Sequence, residues 1–255
     1  MQFGIFDGVT GFHHALSTRA DGVSTGEFAS LNLGFHVGDE ATAVRENRRL
    51  FAQNAGFDIE RLVAAQQVHG ANVRVISSTE AGSGALDWDS ALPDCDALTT
   101  NEQGLPLLIQ VADCAPVLLV DPQQRALAVV HAGWRGALAG AASNAIAAMH
   151  REFGTNPNDV LAAIGPCLNI DNLEVGEEVA QQVEAKNAAA VIRGSFAKPH
   201  LDLRAIIRDD LVSVNVALTN IEISPICTRE RNDLFFSHRG QKGNAGRFGI
   251  VAWWS

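Results

Sequence analysis

Nowhere in the 255-residue sequence is there an uninterrupted apolar run long enough to span a bilayer, which excludes a helical membrane protein. The chain also lacks a basic surplus: 19 Lys and Arg stand against 29 Asp and Glu, a formal net charge of −10. That balance argues against non-specific binding to nucleic acid or to an anionic membrane surface, while leaving room for a local basic pocket that takes a small anion. The first residues, MQFGIFDGVTGFHHALSTRADG, show neither a basic leader region nor a long apolar stretch, so the expected location is the cytoplasm. Cysteine is scarce. Cys95, Cys114, Cys167 and Cys227 include no CxxC pair, which excludes a zinc ribbon or a thioredoxin-type motif. In a reducing cytosol disulfides are not expected, so each cysteine is a small packing residue, a ligand or a nucleophile. Internal repeats, low-complexity tracts and long charge runs are missing too.

What is present is an ordinary globular composition, 47% hydrophobic and 19% charged, in a length that suits one large domain over residues 1–255. Apolar runs predict strands at 105–111, 115–121, 126–131, 160–165, 223–228, 234–238 and 248–254. Asp121-Pro122 is a turn signal that makes the second and third an antiparallel hairpin. Helices are expected at 42–55, 137–153, 176–187 and 203–215, the second closing at Gly154. The segment TEAGSGALDWDSALPD (79–94) reads as a surface loop. Strands in clusters, with helices between the clusters, predict an α+β fold whose mixed or antiparallel sheets are flanked by helices.

Three apolar stretches run into a soft metal ligand: QQVHG with His69, VADCAP with Cys114 and VVHAGWRG with His131. A hairpin can bring Cys114 and His131 together, and the fold must supply His69. Two imidazoles and a thiolate suit Zn²⁺ and leave the fourth tetrahedral position open for water or substrate. The same atoms also suit a thiolate nucleophile, with Cys114 attacking, a histidine as base and Asp113 orienting it. In HAGWRG the strand ends on the imidazole, and a glycine-punctuated turn then carries Trp134 and Arg135. Arg135, at the expected start of a helix, is a candidate for an anion, as is Arg239 in the Gly-rich segment HRGQKGNAGR, which ends on Arg247. Arg45, with Arg48 and Arg49, lies on an early helix. In ASLNLGFHVGD, Ser30 and Asn32 bracket Leu31 and can share one face of an extended segment, either toward a ligand or closing a turn.

In one order the chain carries STRADGVSTGEFASLNLGFHVGD, ENRRL, QQVHG, DALTT, VADCAPVLLVDP, VHAGWRG, IGPC, CT and FFSHR. Taken together these segments resemble the laccase-domain family, the YfiH-type purine nucleoside phosphorylases once classed as multicopper polyphenol oxidases. The matched segments run from about residue 17 to 247, and where the family carries a second arginine after FFS-x-R this chain has Gly240. The resemblance implies a single α+β domain with a cysteine-hydrolase-like (YfiH-like) fold. It implies His69, Cys114 and His131 as ligands of zinc, with copper as the other metal reported in the family. It implies phosphorolysis of adenosine, inosine and S-methyl-5′-thioadenosine with adenosine deamination, so that purine nucleoside and inorganic phosphate are the partners of a monomer or homodimer. Candidates by adjacency for assisting the leaving purine are Asp113 and Gln67; Ser30, Asn32, Arg45, Arg135 and Arg239 are the candidates for substrate and phosphate. Cell-wall precursor editing, also connected with this family, would place a nucleotide-linked muropeptide near the same arginines.

The older oxidase label can be tested on residues alone. A multicopper centre needs many histidines, including His-x-His pairs. None of the eight histidines here forms such a pair, and the only methionines are Met1 and Met149. One mononuclear site is within this inventory. Any phenol oxidation would then be a side activity of Cu²⁺, which outcompetes Zn²⁺ for nitrogen and sulfur ligands.

Overall fold

The computed structural model describes residues 1–255. Its strands are β1 (Phe12–Leu16), β2 (Val63–Ala64), β3 (Val73–Val75), β4 (Ala97–Thr100), β5 (Leu107–Val111), β6 (Ala115–Asp121), β7 (Ala126–Ala132), β8 (Leu161–Ile164), β9 (Val191–Ile192), β10 (His200–Leu201), β11 (Ile221–Ile223) and β12 (Phe248–Trp254). Its helices are α1 (Ala41–Ala55), α2 (Trp134–Leu138), α3 (Ala141–Phe153), α4 (Glu177–Asn187) and α5 (Leu203–Ser213). A six-stranded sheet runs β11-β8-β6-β7-β4-β3 and a four-stranded sheet β1-β12-β5-β2, with β10-β9 as a separate small pair. Both large sheets are mixed: β2 with β5, β3 with β4 and β11 with β8 are parallel, and the other ladders are antiparallel. This is the α+β class expected, and no helix is long and apolar enough to cross a membrane.

Side-chain alternation sorts the strands into layers. On β6 and β7, Val117, Leu119, Ala128 and Val130 pack with Ile146 and Met149 of α3 and with α4 and α5. Their neighbours Leu118, Val120, Leu127 and Val129 turn the other way and meet Ile109 of β5 and Ile250 of β12. The outer face of the four-stranded sheet, through Leu108, Val251 and Trp253, packs on Phe51 of α1 and on Phe57. Central strands covered on both faces read as continuous apolar runs, and such burial is worth roughly 1.5–3 kcal/mol per large side chain.

The hairpin predicted at Asp121-Pro122 is present, with Pro116 opposite His131 and Ala115 opposite Ala132. Several expectations are corrected. The helix predicted over 137–153 begins earlier, at Trp134, and is broken at Ala139–Gly140, because Gly140 takes a left-handed φ of 78° and restarts the chain as α3. The stretch 223–228 is strand only at its start, since Pro225 removes a ladder donor. Residues 234–238 form turn and irregular loop in place of a strand, and Phe235 and Phe236 fill the inter-sheet core without any ladder.

Candidate functional site

β5 lies in the four-stranded sheet and β6 in the six-stranded sheet, so the chain crosses between sheets within residues 112–114. Asp113 makes that crossing in a left-handed conformation, φ 83°. Its carboxylate holds the crossing in place: one oxygen accepts from the Thr228 hydroxyl at 2.6 Å, the other from the Arg239 backbone N–H at 2.6 Å. Cys114 follows immediately, on the face of β6 that carries Leu118 and Val120. The β6–β7 register sets His131 on the same face and next to it. His69 arrives from the QQVHG loop, also with a left-handed φ of 61°. Ligand atoms of His69, Cys114 and His131 all lie within 4.8 Å of one another, the exposed, half-buried and buried corners of one cluster. The close approach at Gly133 is tight: a Cβ there would sit 2.9 Å from Cys114 Sγ and 3.3 Å from His69 Cδ2. That accounts for the first glycine of HAGWRG.

Asp96, buried at the head of β4, organises two of the three corners. It accepts from the backbone N–H groups of His69 (2.9 Å) and Gly70 (2.6 Å), and its Oδ1 lies 2.7 Å from His131 Nδ1. With Nδ1 so engaged, His131 Nε2 is the nitrogen left for a ligand or for Cys114. Burial pushes the Cys114 thiol up, but the charge of His131 and hydrogen bonds from both histidines outweigh it and bring it down to about 6. Burial likewise disfavours charge on His131, and the Cys114 thiolate and the Asp96 carboxylate reverse that, raising it. The donor set of two imidazoles and a ready thiolate, with one acid fixing a ring from behind, fits a zinc ion with an open coordination position.

The cluster borders a cavity of about 380 Å³, within the range of small-molecule sites. Arg135, Arg239 and Arg247 all line it. None of them is among the arginines that form ion pairs, which are Arg49, Arg151, Arg193, Arg208 and Arg231. The Arg135 guanidinium stacks 4.4 Å from the Trp134 ring centroid. Arg239 donates to the Glu174 carbonyl, and Arg247 to those of Ala245 and Gly246. Gln67 lines the cavity too, with both ends of its carboxamide bound to the Gln110 backbone, at 2.7 and 2.9 Å.

Ser30, Asn32 and Arg45 are not among the lining residues. The Ser30 hydroxyl donates to the Arg19 carbonyl and accepts from the Gly22 N–H. Asn32 is fully buried, and its carboxamide oxygen accepts from the backbone N–H groups of Gly34 and Arg247, so it helps to fix a cavity arginine from behind. Arg45 donates to the Leu86 carbonyl, and Arg48 is entirely buried against the carbonyls of Leu33, Gly84 and Ala85. The sequence patterns above single out none of Asp96, Gln110, His36 and His238 as a site residue, though the last three line the cavity. Two signals were there: an acid directly before the apolar start of β4, and a lone glutamine inside LPLLIQV.

A mixed-sheet α+β fold carries a His-Cys-His donor set at a sheet crossing, beside a cavity of small-molecule size, where one metal ion could be held. A family model described as "Multi-copper polyphenol oxidoreductase laccase" matches residues 13–255, and the chain belongs to that family. It is 36% identical over 237 residues to purine nucleoside phosphorylase YlmD of Geobacillus stearothermophilus, covering 91% of this chain and 86% of that protein. It is 35% identical over 243 residues to adenosine deaminase RL5 of an unknown prokaryotic organism, covering 94% of this chain and 92% of that protein. The crystal structure of the Geobacillus stearothermophilus YlmD superposes with a TM-score of 0.92 at 34% identity, over 96% of this chain and 93% of that one.

Proposed function

We propose that the protein is an enzyme of purine metabolism: a zinc-dependent purine nucleoside phosphorylase that acts on adenosine, inosine and S-methyl-5′-thioadenosine and also deaminates adenosine. One observation carries the reading. The His69–Cys114–His131 donor set and three arginines free of ion pairs border the same cavity, in a chain whose relatives bear phosphorylase and deaminase names. A zinc ion held by those three residues would supply Lewis-acid activation at its open position. Arg135, Arg239 and Arg247 bind and orient the phosphate, for which planar guanidinium donors are well matched. A phosphate oxygen attacks the anomeric carbon as the bond to the purine nitrogen breaks, and the purine leaves with the electron pair and takes up a proton. Asp113 and Gln67 have their polar atoms engaged within the protein, so they serve this step by holding Arg239 and β5 in place.

A second reading is favoured by the chain of contacts from Asp96 through His131 to Cys114, which is also the arrangement of a cysteine hydrolase. Phenol oxidation would be a side activity of copper at the same centre, since this is the only group of three or more ligating side chains close enough to share an ion. The deciding experiment measures hypoxanthine release from inosine, with and without phosphate, by zinc-loaded protein and by Cys114→Ala. Phosphate-dependent release that the substitution and chelation both abolish is the expected result. Amide hydrolysis that survives chelation but not alkylation would favour the hydrolase, and zinc-loaded protein that releases no hypoxanthine would overturn the inosine assignment.

A further inference from the structure

Gln110 is the one cavity residue whose side chain is left without a partner while being almost wholly buried. It is 3% exposed and lines the cavity, and its carboxamide oxygen is buried with no hydrogen-bond partner. Its amide nitrogen donates to no protein group either; the hydrogen bonds at this residue that involve a side chain join its backbone to Gln67. Buried polar groups are ordinarily satisfied, so an orphaned carboxamide at a cavity wall calls for a ligand or a structural reason. The backbone offers no such reason, since Gln67 clamps the N–H and the carbonyl of Gln110 on one edge of β5. What stays free is the terminal torsion, which is broad and roughly two-fold for glutamine.

Resting on the purine reading, we propose that Gln110 is the residue that recognises the base, pairing its carboxamide with the edge formed by N1 and the substituent on C6. A carboxamide presents one acceptor and two donors in a plane. Adenine offers N1 as acceptor and its 6-amino group as donor. Hypoxanthine offers the reverse, N1–H as donor and O6 as acceptor. The carboxamide oxygen is buried, so the side chain must turn toward the cavity to pair, and a half-turn of the amide then matches either edge, which lets a single residue admit both 6-amino and 6-oxo purines. Purines without a C6 substituent lose one of the two bonds.

The test is calorimetric binding of adenine, hypoxanthine and unsubstituted purine to the zinc-loaded protein and to Gln110→Met and Gln110→Glu. Metal content and the phosphate KM are measured alongside. Each neutral hydrogen bond lost costs about threefold to tenfold in affinity. Gln110→Met is expected to weaken adenine and hypoxanthine binding by about tenfold or more and to bind unsubstituted purine as well as either. Gln110→Glu, with acceptors only, is expected to weaken hypoxanthine and adenine unequally. Metal content and phosphate KM stay unchanged. Affinities equal to those of the unsubstituted protein in both variants would overturn the assignment and leave Gln110 as a water-bridged structural amide. A change in phosphate KM without a change in base binding would also overturn it. An unsubstituted protein that binds neither base overturns the purine reading and this inference together.

Discussion

At the scale of single residues, Asp96 does most to turn three separate segments into one centre. Its two oxygens take backbone N–H groups from the His69 loop and face the His131 ring, so one buried carboxylate fixes a ligand loop and a ring orientation at once. An amide in its place has only one acceptor end, and its NH₂ would face the Gly70 N–H or the His131 ring. Asp96→Asn is therefore expected to weaken zinc binding by about 10- to 100-fold, the usual effect of losing a partner behind a metal ligand. Competition with a chromophoric chelator measures it, and an unchanged affinity would remove Asp96 from the centre. The Cys114 thiol matters at the same scale. It is held down to about 6 by a His131 that is itself raised, so the pair shares a proton on the imidazole, and a metal bound by both residues would have to displace it from there.

At the scale of elements, register and breaks place the ligands. Pairing of Pro116 with His131 sets Cys114 and His131 on one face, and a one-residue slip would turn His131 away from Cys114. The break at Gly140 lets the short helix α2 stand apart from α3, keeping Trp134 and Arg135 at the cavity. A side chain at Gly140 would have to adopt φ 78° with its Cβ 2.7 Å from Ser143 Oγ. Gly140→Ala is expected to destabilise the fold by about 1–2 kcal/mol, read from the denaturant midpoint. A midpoint unchanged or raised would show that the junction relaxes into a continuous helix.

At the scale of the whole molecule, the centre sits where the chain passes from one sheet to the other, so its ligands come from β6, β7 and a loop tied to β4 and β5. A metal held there would link both sheets, and it would bind the folded chain in preference because the unfolded chain does not assemble the three donors. Free zinc at a hundredfold excess over its dissociation constant should raise the unfolding free energy by about 2.7 kcal/mol. Cys114→Ala should lose that increment. Thermal or chemical denaturation with and without zinc tests this, and equal stabilisation of both proteins would place the ion elsewhere.

Much was settled locally. β6, β7 and β12 are legible as apolar runs because they are covered on both faces. The hairpin follows from Asp121-Pro122, and His69, Cys114 and His131 stand out as soft ligands at the ends of such runs. The short strands β1 and β4 carry histidine or threonine, so their pattern is weak, and their pairing with distant strands is what makes them strands. Arginine is the clearest case of what tertiary structure alone decides. Arg45, Arg48, Arg135, Arg239 and Arg247 look alike as letters, yet packing buries Arg48 under backbone carbonyls and gives Arg45 to the Leu86 carbonyl, while the other three line the cavity. The same holds for Asp96 and Gln110, whose roles depend on contacts across 26 to 43 residues of chain. Local patterning sets which residues can be buried in strands; only the meeting of two sheets decides which polar groups are left facing one another around a cavity.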